Sequence, residues 1–242
     1  MEIGIITYGE EFDFEKISKI FKKHFSNAKI LVINNKKDYA KAPQIQGTNK
    51  DYEFSGYLEL SNCFSSSGPY LIFNDNLFTS HFTKGWIWLI CKFILVNNNC
   101  KNYIYGDLRF DGTKYEERPN PFLASWLFVI PNYETLKKFQ FNLKYSLDNR
   151  LISTSKGYEE FLNQWISPKS KFSGWHGESY CELTKARKKR SIIIEHRLSR
   201  VLKMNGIEIK SIGVNNPIFY QLLRIVDRVK TRFIAFKRKS LF

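Results

Sequence analysis

Short unbroken apolar runs alternate along this chain with stretches in which apolar residues recur every three or four positions. The first run, EIGIITY at residues 2–8, reads as a buried strand. Phe14, Ile17, Phe21 and Phe25 follow at helical spacing, and Asp13 stands where an N-cap belongs. AKILVIN is a second buried strand, closing on Asn34-Asn35. Strand, helix and strand joined by short connections make a βαβ unit, and such units build parallel sheets.

A polar stretch, KKDYAKAPQIQGTNKDYE, separates this unit from a helix expected over 55–64. The next strand is 70–73. The apolar segment 86–96 suits a buried helix and a buried strand equally. Further strands are expected over 102–107 and near 126–130, and NYETLKKFQFNL puts Leu136, Phe139 and Leu143 on one helical face. A helix around 157–166 leads into a loop rich in Ser, Gly and Pro. Two more helices follow. One ends near Asn205-Gly206; the other is capped by Asn216, with Pro217 in its first turn. In the last helix Ile218, Leu222, Ile225, Val229, Phe233 and Phe236 form an apolar stripe, and Arg224, Arg228 and Arg232 lie along another face. The pattern predicts an α/β fold, a mostly parallel sheet flanked by helices.

Charge changes this picture. The net charge is +15, and nearly all of the excess lies beyond residue 183, where only Glu195, Glu208 and Asp227 oppose a long series of lysines and arginines. The chain is therefore read as a domain over 1–182 and a basic helical extension over 183–242, the latter suited to phosphates or an anionic surface. The hydrophobic fraction of 43% suffices for a packed core and sets aside a disordered chain. The four cysteines form no CxxC pair, which argues against a structural zinc site. The longest apolar run, 85–96, is too short to span a bilayer and contains Lys92. Acids near the N-terminus, where a secretory signal carries bases, point to the cytoplasm.

The chemistry is sought where strands end, because ligands of open α/β sheets bind beyond the carboxyl ends of the strands. Asn34-Asn35 and Asn74-Asp75-Asn76 both occupy such ends. A carboxylate there can hold a hard cation, and the cation a diphosphate. Asn and Asp are also ordinary turn residues, so a plain strand-end turn is the competing explanation.

The βαβ opening followed by GTNKDYEFSGYLELSNCFSSSGPYLIFNDNLF resembles the GT-A glycosyltransferases, in particular family-2-like enzymes of bacterial surface-polysaccharide synthesis. Gly47, Asn49, Gly56, Asn62, Gly68, Tyr70 and Asn74-Asp75-Asn76 fall in that family's order, within residues 2–130. The resemblance implies a GT-A sheet and a nucleotide diphosphate sugar donor held by Thr7, Tyr8, Asn34, Asn49, Asn74, Asp75 and Asn76. It implies Mn²⁺ or Mg²⁺ on Asp75, and a hexosyltransferase that serves a saccharide or lipid-linked acceptor in O-antigen, capsule or lipooligosaccharide synthesis. The expected place is the cytoplasm, peripheral on the inner face of the cell membrane, with the basic extension against anionic lipid. Two positions depart from the family. The turn has one carboxylate where a DxD motif has two, and Asn34-Asn35 stands where an acid commonly reads the base.

Transfer with inversion needs a carboxylate to take the acceptor's proton. Asp107 and Asp111, after a strand, and Glu178, in FSGWHGES, are the candidates. His176 is a candidate metal or phosphate contact, and Trp175, His176 and Glu178 together resemble a sugar-binding loop. Glu195-His196, inside a helical stretch, is read as structural or surface. A basic nucleic-acid-binding protein and an inactive GT-A scaffold are the alternatives. The first is disfavoured because the base-rich tail has few aromatics for stacking on bases.

Overall fold

The computed structural model describes residues 1–8, 13–36, 44–79, 81–96, 103–110, 115, 117–148, 154–168, 175 and 180–239, with backbone alone at 79 and 231–239. β1 (Glu2–Thr7), α1 (Phe14–Lys22) and β2 (Lys29–Asn34) form the expected βαβ unit. Asp13 Oδ1 accepts from the Lys16 N–H at 2.9 Å, which is the N-cap read from sequence. β3 (Ile45–Gln46), β4 (Lys50–Tyr52) and α2 (Glu53–Cys63) lead to β5 (Tyr70–Asn74). A single turn, α3 (Asn76–Thr79), precedes α4 (Thr83–Val96), β6 (Tyr103–Arg109) and β7 (Phe122–Ile130). Then come α5 (Tyr133–Leu147), α6 (Lys156–Ile166), α7 (Glu182–Met204), β8 (Glu208–Ser211) and α8 (Pro217–Lys239). The segment that suited helix or strand is the 14-residue helix α4, longer than strands commonly run.

Seven strands form one sheet in the order β3-β2-β1-β5-β7-β6-β8. β1 pairs in parallel with β2 and β5, β2 with β3, and β6 with β8; only β7 runs against its neighbours. The sheet is thus mostly parallel, as the hydrophobic pattern predicts. From β1 the chain builds outward to β2 on one side and later to β5 on the other. Such a reversal leaves a crevice beyond the carboxyl ends of the two central strands.

Helices cover both faces. Ile17 and Phe21 of α1, Trp86 and Ile90 of α4, and Tyr220 and Leu223 of α8 pack with Ile3, Ile5, Leu71 and Phe73 on one side. On the other, Phe54 and Leu60 of α2, Leu136 and Phe139 of α5, and Ile194, Leu198 and Leu202 of α7 pack with Ile6, Ile72 and Phe128. α2 lies unusually close to β1: a Cβ on Gly56 would come within 2.6 Å of Ile6, and one on Gly4 within 2.9 Å of Leu60 and Phe64. The segment from 183 onward, read as an extension, supplies β8 to this sheet, α7 to one core and α8 to the other.

Candidate functional site

At the carboxyl ends of β1 and β5 the register sets Ile6 opposite Asn74, so Thr7 and Asp75 emerge side by side. Asp75 Oδ2 accepts from the Thr7 hydroxyl at 3.1 Å and from the Tyr8 N–H at 2.9 Å, bonds made across 68 and 67 residues of chain. Burial pushes the Asp75 carboxyl above its ordinary pKa, and the charge of Glu53 adds to the rise against the hydrogen bonds that oppose it.

A second group of acids gathers on β7. This strand pairs with β5 only from Leu127 to Ile130, so its residues 122–126 overhang the carboxyl end of β5. Ser125, on the overhang, joins two carboxylates from distant helices. Its N–H donates to Glu195 Oε1 at 2.5 Å, and its hydroxyl donates to Glu53 Oε1 at 2.9 Å. Tyr57 closes the group, its hydroxyl donating to Ser125 O at 2.7 Å. Burial raises the Glu195 pKa; Arg109 and the Ser125 N–H oppose the rise, and Glu53 reinforces it. A carboxylate held above its ordinary range is suited to accept a proton near neutral pH.

Polar and cationic side chains complete this edge. Asn35 is buried, and its Nδ2 donates to Tyr52 O at 3.0 Å and to the Tyr8 hydroxyl at 3.3 Å. Its Oδ1, like Asn49 Oδ1, is buried without a partner among the described residues. A Cβ on Gly47 would fall 2.0 Å from Asn35 Oδ1, so only glycine leaves that oxygen its space. Asn49 and Tyr52 both take positive φ, 48° and 52°, a conformation that costs non-glycine residues energy and concentrates at ligand sites. Arg187 donates to Asn49 O at 2.6 Å and stacks on the Tyr52 ring at 5.0 Å, with Lys188 5.7 Å from the same ring. Burial, then the Glu53 charge, holds the Tyr8 phenol far above its usual pKa, so it remains a hydrogen-bond donor at physiological pH.

The fold therefore brings Thr7, Tyr8 and Asp75 into direct contact and sets Asn49 beside Tyr52. Other expected residues have other partners. Asn34 is buried in its own loop, its Nδ2 donating to Gln44 and its Oδ1 accepting from Lys36 N–H. Asn74 is buried and accepts from the Asn76 N–H at 3.1 Å, while Asn76 is exposed. Asp107 is bonded to β7 and α8, accepting from Trp126 Nε1 at 3.0 Å and the Tyr220 hydroxyl at 2.7 Å, with Arg224 at 3.8 Å. Burial alone would raise its pKa, but Arg109, Tyr220, Arg224 and Trp126 together hold it below the ordinary value. His176, Glu178 and Asp111 lie outside the described residues. Trp175 is described: its N–H donates to Trp165 O at 2.8 Å, and its ring stacks on Tyr180 at 4.8 Å. His196 is a core residue bonded to the Tyr158 hydroxyl at 2.6 Å, matching its structural reading.

Glu53 and Glu195 were not among the acids picked out from sequence. One signal was available for the second. Ser191, Glu195 and Ser199 recur every fourth residue along α7, the two serines buried and Glu195 half-buried between them. A polar line at that spacing along an apolar face marks side chains with partners across the fold.

The fit of the strand-end turn to Mn²⁺ or Mg²⁺ is poor. It offers one carboxylate, an oxygen of which already accepts two hydrogen bonds, and the adjacent Asn74 amide oxygen is committed to Asn76. Hard cations take six or more oxygens. Among the described residues no group of three or more His, Cys, Asp or Glu side chains could share a metal ion, and no helix is long and apolar enough to cross a membrane. Neither a protein-family model, nor a curated protein, nor a solved structure matches the chain.

Proposed function

We propose that this chain is a GT-A-type glycosyltransferase that moves a sugar from a nucleotide diphosphate donor to a saccharide or lipid-linked acceptor. The observation that carries the reading is the meeting of Asp75, Thr7 and Tyr8 at the reversal point between β1 and β5, with Glu53 and Glu195 held beside it by Ser125 of the overhang. The sheet order, with one antiparallel strand beyond β5, is compatible with the GT-A sheet that the resemblance implies.

In this reading the nucleoside lies over Thr7, Tyr8 and Asn35. Arg187 and Lys188 offset the charge of the diphosphate, a role that requires no metal step. Glu195 replaces Asp107 as the candidate base. A base must gain a proton in the transition state, and Asp107 is held charged by its cationic and hydroxyl partners, whereas burial favours the protonated form of Glu195. The acceptor oxygen attacks the anomeric carbon, its proton passes to Glu195, and the nucleoside diphosphate leaves with the bonding electrons.

The test is a screen of purified protein against nucleotide diphosphate sugars, with Mn²⁺ and with chelator, read by release of nucleoside diphosphate. Asp75→Ala should lower turnover by about 100-fold or more while the circular-dichroism spectrum is unchanged. Near-normal turnover by a folded Asp75→Ala protein would remove the basis of the site.

A further inference from the structure

The last helix presents its faces in an unusual way. Tyr220, Leu223, Arg224 and Asp227 of α8 face the sheet, and three of these four are polar. The Tyr220 hydroxyl donates to Asp107, and Arg224 donates to Leu108 O at 3.1 Å. Asp227 accepts from Trp86 Nε1 and the Phe82 N–H, each at 2.7 Å, and bonds His81 Nδ1 at 2.6 Å. Lys230 donates to His81 O at 2.7 Å. On the opposite side, Ile218, Leu222, Ile225 and Val229 fall within about 60° of arc at 100° per residue. All four are exposed, at 78%, 52%, 54% and 49%. The stripe that sequence periodicity finds is thus turned outward as far as residue 229.

The outward stripe does not end with the helix. Phe219 packs edge-to-face on Trp88 of α4 at 4.7 Å, and Trp88 is itself 41% exposed with Lys92 6.0 Å above its ring. Leu95 and Val96 continue the exposed apolar surface along α4. An apolar surface of this kind needs an occupant, and charge discriminates among the candidates. α8 carries seven bases and a single acid, Asp227, which is buried. A second copy of the chain would bring bases against bases, with the one acid of each helix, Asp227, turned inward and bonded to α4 and the turn before it. An anionic bilayer supplies both a hydrocarbon boundary for the stripe and phosphates for the bases.

We propose that the outer face of α8, with Trp88 of α4, docks in the plane of an anionic lipid bilayer. The helix lies in the interface and does not cross it, since its sequence contains no window apolar enough to span. Trp88 sits at the headgroup level, where aromatic side chains concentrate. The inward polar bonds hold the helix to the sheet, so its apolar side chains are free to enter lipid without unfolding the core. This inference is independent of the donor site, because it is read by binding alone.

The experiment is flotation of the full chain with vesicles of phosphatidylglycerol and phosphatidylcholine, and with phosphatidylcholine alone, at low and high salt. The protein should float with the anionic vesicles and lose about tenfold or more in partitioning at high salt. The Leu222→Glu/Ile225→Glu double variant changes only exposed positions and should lose about tenfold or more, with thermal unfolding preserved. Should that variant fail to fold, Arg228→Gln, a single exposed cation, should weaken binding about fivefold. Absence of flotation, equal flotation of folded variant and wild type, or equal binding to neutral vesicles would each overturn the proposal. So would a wild-type dimer by light scattering that becomes monomeric in the variant without any vesicle binding, which would assign the face to a second copy.

Discussion

The two ends of the central strands carry carboxylates in opposite circumstances. At the amino end, Glu2 accepts from the backbone N–H groups of Ser65 and Ser66 at 2.9 and 2.8 Å and pairs with Lys29 at 3.2 Å. Burial would raise its pKa, but these donors outweigh burial and hold it low. At the carboxyl end, Asp75 and Glu195 also accept backbone N–H bonds, yet both are held high, by burial first and then by the neighbouring charge of Glu53. One end spends its hydrogen bonds on closing a turn. The other concentrates like charges where the sheet topology leaves a crevice. A carboxylate that stabilises the fold has donors enough to outweigh its burial; one held high has burial and a like charge that outweigh its donors.

The largest effect expected from breaking this contrast is on catalysis. Glu195→Gln should reduce kcat by about 100- to 10,000-fold in a donor and acceptor assay, the range for loss of a general base. The same substitution should raise the melting temperature at pH 7. The folded chain binds the Glu195 proton more tightly than the unfolded chain, so its contribution to stability falls as pH rises from the unfolded value through the folded one. Removing the charge abolishes that loss, and the advantage of the variant should vanish on acidification below the unfolded value. A variant that keeps full turnover would exclude Glu195 as the base.

Glu2→Gln should do the reverse. It should lower unfolding free energy at pH 7 by about 1–3 kcal/mol, the cost of disrupting a buried, charge-assisted set of hydrogen bonds. Turnover per folded molecule should be unchanged. Because the folded pKa of Glu2 is depressed, its stabilisation is full above the unfolded value and is lost as pH falls through the folded value. Urea denaturation across acidic pH should therefore show the gap between wild type and variant closing as pH drops. A gap that widens instead would refute the assignment of the two ends.

The smallest effect concerns the support of the Asp75 turn. Thr7→Val removes the hydroxyl donor to Asp75 Oδ2 and leaves the Tyr8 N–H in place. A loss of about 0.5–1.5 kcal/mol in urea denaturation is expected, the value of one hydrogen bond. A much larger loss would mean that the hydroxyl holds the β1 and β5 ends together by itself.

Local pattern was enough for the frame. Apolar runs and helical spacing determined the βαβ opening, the Asp13 cap, the strand over 70–73 and hence the acid just beyond its carboxyl end, because each of these signals lies within a few residues of its own position. Tertiary structure decided which acids share a site. Ser125 meets Glu53 across 72 residues and Glu195 across 70, and no spacing rule reaches that far. The same holds for Asp107, which follows the strand pattern of a site acid but is engaged by Trp126 and by Tyr220 of a helix 113 residues away. It holds for α8 as well. Periodicity finds a stripe on a helix and says nothing of which way the stripe faces; here the polar bonds of Tyr220, Arg224 and Asp227 to the rest of the fold turn the apolar side outward.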